Sequence, residues 1–67
     1  PPHEALSARE YQVLCLLGAG KSVKEIAAVM ELSVKTVSTY RARILEKTTL
    51  KSNAEIIRYT LEHGLVH

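Results

Sequence analysis

The sequence predicts an all-α domain, a compact four-helix arrangement containing a helix-turn-helix. Three observations carry that expectation. A Ser-x-x-Glu pattern occurs at Ser7, Ser22 and Ser52, each time just ahead of an apolar stretch. In this pattern the serine oxygen and the glutamate satisfy free N–H groups at a helix start. Apolar residues then recur at spacings of three and four, the period of a helix face. Glycines at 18, 20 and 64 fall just after such stretches, where helices end.

The elements follow in chain order. Pro1-Pro2-His3 predicts a stiff, extended start, so residues 1–5 are expected to be the remnant of a linker and residues 6–67 the folded domain. Ser7 opens a helix over residues 8–18, with Val13, Leu14 and Leu17 inward, Tyr11 on the adjoining edge, and Gly18-Ala19-Gly20 as its terminator. Ser22 opens a short helix over residues 23–30 carrying Ile26, Ala27, Val29 and Met30, which Glu31-Leu32 interrupts. Ser33 caps a third helix, residues 34–48, with Val37, Ile44 and Leu45 on one side; at 1.5 Å per residue it is roughly 20 Å long. Ser52 opens the last helix, residues 53–63, with Ile56, Ile57, Tyr59 and Leu61, ended by Gly64.

Sixty-seven residues make one small domain, too small for a second lobe with a deep substrate cleft. Function is therefore expected on a surface. No apolar run exceeds the five residues of Val13–Leu17, far short of the roughly 20 that cross a bilayer. The lone Cys15 allows no internal disulfide and suits a reducing cytoplasm; it reads as a small core hydrophobe. All seven acids are glutamate, which removes aspartate-based calcium loops and aspartyl phosphorylation. His3, His63 and His67 lack metal-ligand spacing. No cofactor, metal or catalytic residue is expected, and an enzyme is the weakest reading.

The net charge of +2 is modest, but its distribution is uneven. Lys35, Arg41, Arg43, Lys47 and Lys51 lie between Ser33 and Lys51 against Glu46 alone. This basic segment follows a short amphipathic helix across the tight link Glu31-Leu32-Ser33, the layout of a helix-turn-helix. Helical spacing divides residues 34–48 into faces. Val37, Ile44 and Thr48 look inward; Lys35, Ser38, Thr39 and Ala42 look outward; Thr36, Tyr40, Arg43 and Lys47 flank. Small polar side chains let a helix approach base edges, and a methyl of Thr39 or Ala42 can meet that of thymine. Lys35 reaches guanine or phosphate, and the flanking cations suit the groove walls. Arg41 turns toward the core side, which its stem covers.

Leu6-Ser7-Ala8-Arg9-Glu10 with Val13-Leu14, Lys24-Glu25-Ile26-Ala27, Ser33-Val34-Lys35-Thr36-Val37, Tyr40-Arg41-Ala42-Arg43-Ile44 and His63-Gly64-Leu65-Val66 together resemble the LuxR/NarL/FixJ-type helix-turn-helix domain over residues 5–66. Tyr40, where that family often has histidine, is similar to one subgroup of response-regulator effector domains. The resemblance implies the C-terminal output domain of a bacterial response regulator, a transcription factor of a two-component system. It implies base contacts from Lys35, Ser38, Thr39 and Ala42, and phosphate contacts from Thr36, Tyr40, Arg43 and Lys47. It also implies a homodimer through exposed positions of the last helix, Ala54, Ile57, Arg58 and Leu61. Implied partners are double-stranded DNA, RNA polymerase and an N-terminal receiver or small-molecule sensor domain missing from this chain. With no aspartate present, any phosphoacceptor lies outside it. The chain departs from the family pattern after Lys47, carrying Thr48-Thr49 where the family has an apolar residue often followed by glycine.

Two readings compete with the regulator of paired half-sites. One is a protein-interaction module presenting Ile56, Ile57, Tyr59 and Leu61 as an exposed apolar stripe; the other is a sigma-factor-like promoter reader. RNA is disfavoured, because its A-form major groove excludes a helix and this chain, with three tyrosines and neither Phe nor Trp, lacks an aromatic platform.

Overall fold

Two of the three Ser-x-x-Glu boxes close fully and the third by half. The computed structural model describes residues 1–65; Val66 and His67, with the expectations that rest on them, lie outside the described residues. Helix α1 spans Ala8–Gly18, α2 Val23–Met30, α3 Val34–Thr48 and α4 Asn53–Glu62, and the described residues contain no strand. At Ser7 and Ser22 the serine oxygen accepts from the N–H of Glu10 or Glu25 while the glutamate accepts from the serine N–H. At Ser52 the serine accepts from Glu55 N–H, but the Glu55 carboxylate turns to the N–H of Lys51. The all-helical class and four helices stand as expected. The last helix stops one residue early, with His63 as its cap.

Helix α1 is the centre of the domain, packing against α4, α3 and α2. Its Val13, Leu14 and Leu17 meet Ile26 and Ala27 of α2, Val37 and Ile44 of α3, Ile56 of α4 and the following Leu65 in one buried cluster. Burial of side chains of this size stabilises by roughly 1.5–3 kcal/mol each before chain entropy is counted.

Gly18 is the last residue of α1, as expected, but it has a second role in packing. It is a buried residue of the helix, and a Cβ there would overlap the side chain of Thr60. The glycine therefore sets how closely α1 and α4 approach; positive φ belongs to Gly20, at 90°. The N-terminus departs from expectation. Residues Pro2–Ala5 form a 3-10 turn instead of an extended lead-in, because Tyr59 of α4 gathers it. The Tyr59 hydroxyl accepts from His3 N–H at 3.1 Å and lies 2.7 Å from His3 Nδ1. The His63 ring packs on Tyr59 at 4.2 Å between centroids, and on His3 at 5.5 Å.

Candidate nucleic-acid interface

The link between α2 and α3 determines how the third helix is presented. Glu31 turns the chain through the left-handed region, φ 56°, and Leu32 N–H bonds back to Ala27 O at 2.9 Å. Ser33 then caps α3, its Oγ accepting from Thr36 N–H at 3.0 Å and donating to Thr36 Oγ1 at 2.9 Å. Val37, Ile44 and Thr48 are buried against the domain, and Leu45 is half-buried. Those anchors fix the rotation of the helix.

Lys35, Ser38, Thr39 and Ala42, the residues expected to meet bases, are all exposed on the side facing away from the core. Thr39 donates its hydroxyl to Lys35 O at 3.0 Å, which leaves the oxygen able to accept. Exposed Glu46 continues the row Lys35–Thr39–Ala42 at helical spacing, although the sequence reading counted it only in the charge balance. An acid at this end repels phosphate, whereas the N-terminal half of α3 carries the positive end of the helix dipole.

The flank is less uniform. Arg43 is exposed and Thr36 and Tyr40 are half-buried. Thr36 accepts from Ser33, so its hydroxyl proton remains available to an outside acceptor. Lys47 is engaged within the domain: its Nζ lies 2.8 Å from Oε1 of Glu10, whose side chain is only 3% exposed. The Lys47 ammonium, and next the Ser7 N–H, hold the Glu10 carboxyl below the usual carboxylate range against the opposing effect of burial. The sequence shows Glu10 as a capping residue; its second partner comes from 37 residues away and no local pattern announces it.

Arg41 is half-buried but does more than cover the core. Its Nε and Nη2 donate to Asn53 Oδ1 at 3.0 and 2.8 Å, tying α3 to the first residue of α4. The departure at Thr48-Thr49 is accommodated locally. Buried Thr48 donates to Ile44 O at 2.6 Å, and Thr49 ends α3 in the left-handed region, φ 61°, where glycine is the easier residue.

On α4, Ala54, Arg58 and Leu61 are exposed, Leu61 to 64%, and Ile57 is half-buried. They form one row at spacings of three and four, with Arg58 Nε 3.7 Å from Glu62 Oε2. The wider apolar stripe expected of an interaction module is not exposed as a whole: Ile56 is fully buried and Tyr59 lies against His3. Cys15 is a buried residue of the core cluster, and burial pushes its thiol up. No helix among the described residues is long and apolar enough to cross a membrane.

This geometry agrees with the comparisons to known proteins. The family described as "Bacterial regulatory proteins, luxR family" matches residues 4–60. The chain is 40% identical over 65 residues to "Oxygen regulatory protein NreC" of Staphylococcus carnosus, covering 97% of this chain and 30% of that protein. It is 36% identical over 66 residues to "Transcriptional regulatory protein LiaR" of Bacillus subtilis, covering 98% and 31%. It is 40% identical over 65 residues to "Response regulator GacA" of Pseudomonas protegens, covering 97% and 30%. The chain thus spans about 30% of the length of these relatives. A family match that runs from the N-terminal turn into α4 takes in all the helices that build the site, and the chain belongs to the luxR family of bacterial regulatory proteins.

Proposed function

We propose that this domain regulates transcription by binding double-stranded DNA sequence-specifically, with α3 in the major groove. The observation that carries this reading is the outward face of α3: Lys35, Ser38, Thr39 and Ala42, exposed, small or cationic, on a helix whose opposite face is locked into the core. In the proposed mode Lys35 donates to guanine or phosphate. Thr39 accepts from an exocyclic amine or places its methyl on thymine. Ala42 lets the backbone approach, and Ser38 serves either polarity. Thr36, Tyr40 and Arg43 hold phosphate, with Lys47 as a weaker contributor because Glu10 offsets its charge.

A single small reading head binds weakly, and pairing two heads on adjacent half-sites multiplies affinity. The row Ala54, Ile57, Arg58 and Leu61 is the proposed two-fold contact; it leaves Leu61 open to solvent in the single chain. Names such as response regulator and transcriptional regulatory protein, together with the 30–31% coverage of those relatives, support a cytoplasmic two-component regulator. In it a receiver or sensor domain controls this head, and RNA polymerase is the downstream partner.

Selection from a random duplex DNA pool at two salt concentrations tests the proposal. Enrichment of a repeat with half-sites about one helical turn apart, weakening steeply with salt, is the expected result. Binding without enrichment removes sequence specificity, and absence of binding removes the function. Leu61→Asp is expected to abolish enrichment of paired half-sites while a single half-site is still bound. Unchanged pairing removes the α4 contact.

A further inference from the structure

We infer that Arg41 is a second phosphate anchor, held by Asn53 against the wall of the groove opposite Arg43; the inference rests on the DNA-binding reading above. The major groove is about 12 Å wide and a helix with its side chains about 10–12 Å across, so a helix lying in it meets phosphates on both sides. Thr36, Tyr40, Arg43 and Lys47 all fall on one flank of α3. Successive residues turn by about 100°, which places Val34, Ser38, Arg41 and Leu45 along the other. Arg41 is the one cation in that row. Without it that flank presents only exposed Val34, Ser38 at the edge of the outward face, and half-buried Leu45.

The local chemistry suits the role. Arg41 is bound to a neutral amide, and among the described residues no carboxylate lies within ion-pair distance of it. Its charge is therefore uncompensated, in contrast to Lys47, whose ammonium is spent on Glu10. Two of the five guanidinium N–H donors go to Asn53, which fixes the plane of the fork, and three remain for a phosphate oxygen pair. Asn53 is the first residue of α4, so the anchor is held by a second helix and loses little side-chain freedom on binding. Asn53 is a positioning residue here and touches no phosphate itself.

The test is the slope of log affinity against log salt for the 67-residue chain, measured on a duplex enriched by the wild-type domain, beside thermal unfolding of each variant. Arg41→Gln is expected to bind about tenfold more weakly and to lower the slope by about one. Asn53→Asp keeps the acceptor and cancels the charge, in a position where a helix N-terminus welcomes an acid. It should fold normally and show the same loss of slope. Asn53→Ala releases the fork but keeps its charge, so affinity falls while the slope stays. An unchanged slope in both Arg41→Gln and Asn53→Asp, with lowered stability in Arg41→Gln, would make the bond a tie between α3 and α4 and overturn the anchor while leaving the DNA-binding reading intact. If the wild-type domain binds no duplex with any salt dependence, both fall together.

Discussion

Lys47 at the end of α3 donates to Oε1 of Glu10 at the start of α1 across 2.8 Å, and the same oxygen accepts the N–H of Ser7 at 2.8 Å. One carboxylate oxygen thus serves the helix cap and the joint between α3 and the central helix α1. Replacing Lys47 by Met keeps the stem and removes the ammonium, leaving a charged Glu10 in a buried position. The domain is expected to lose about 1–3 kcal/mol of stability, measured by urea unfolding, and Glu10→Gln in the same chain should restore part of it. A Lys47→Met domain as stable as the wild type would show that the pair contributes nothing.

The same pair sets the response to acid. The folded-state pKa of Glu10 is depressed, by Lys47 first and Ser7 next, so its contribution is present above the unfolded value of about 4.3 and is lost as pH falls through the folded value. Glu25, bonded to the Ser22 N–H, acts in the same direction. Stability should be level between about pH 7 and pH 5 and decline below about pH 4, and the decline should be shallower in Glu10→Gln. Equal acid sensitivity in the two proteins would place the titration elsewhere.

Gly18 faces Thr60 with no room for a Cβ. Gly18→Ala gains about 1 kcal/mol of helix propensity but must push α4 away, and overpacking of this kind costs about 1–3 kcal/mol. A net loss is expected in thermal unfolding, with partial recovery when Thr60→Ala is added. A stabilised Gly18→Ala would mean that α1 and α4 separate easily.

Thr49 carries a β-branched side chain at φ 61° and Glu31 an acidic one at φ 56°. A left-handed residue costs roughly 1–2 kcal/mol, partly offset by the extra unfolded-state freedom of glycine. Thr49→Gly is therefore expected to stabilise by about 0.5–1 kcal/mol, read as a higher midpoint in urea. A lower midpoint would show that the Thr49 side chain contributes more than its backbone strain removes.

Local patterns made most of the architecture legible. Ser7, Ser22, Ser33 and Ser52 announce the four helix starts because capping is a contact between residues three apart. The outward face of α3 was readable because Val37, Ile44 and Thr48 fix its rotation through spacing alone. What escaped depends on pairs distant in sequence. Glu10 with Lys47, Arg41 with Asn53, His3 with Tyr59 and Gly18 against Thr60 each require the packed helices before the partner can be named. The packing role of Gly18 was hidden for that reason: a glycine at a helix end reads only as a terminator until the neighbouring helix is in place.

Whether the outward face of α3 reads base edges is tested by repeating the duplex selection with Lys35→Ala beside the wild type. An affinity loss of roughly 1–3 kcal/mol on the enriched site is expected, with a changed preference at one base-pair position and the others staying as they were. An equal loss on every sequence, with all preferences unchanged, would reduce Lys35 to a phosphate contact and contradict the placement of that face against the bases.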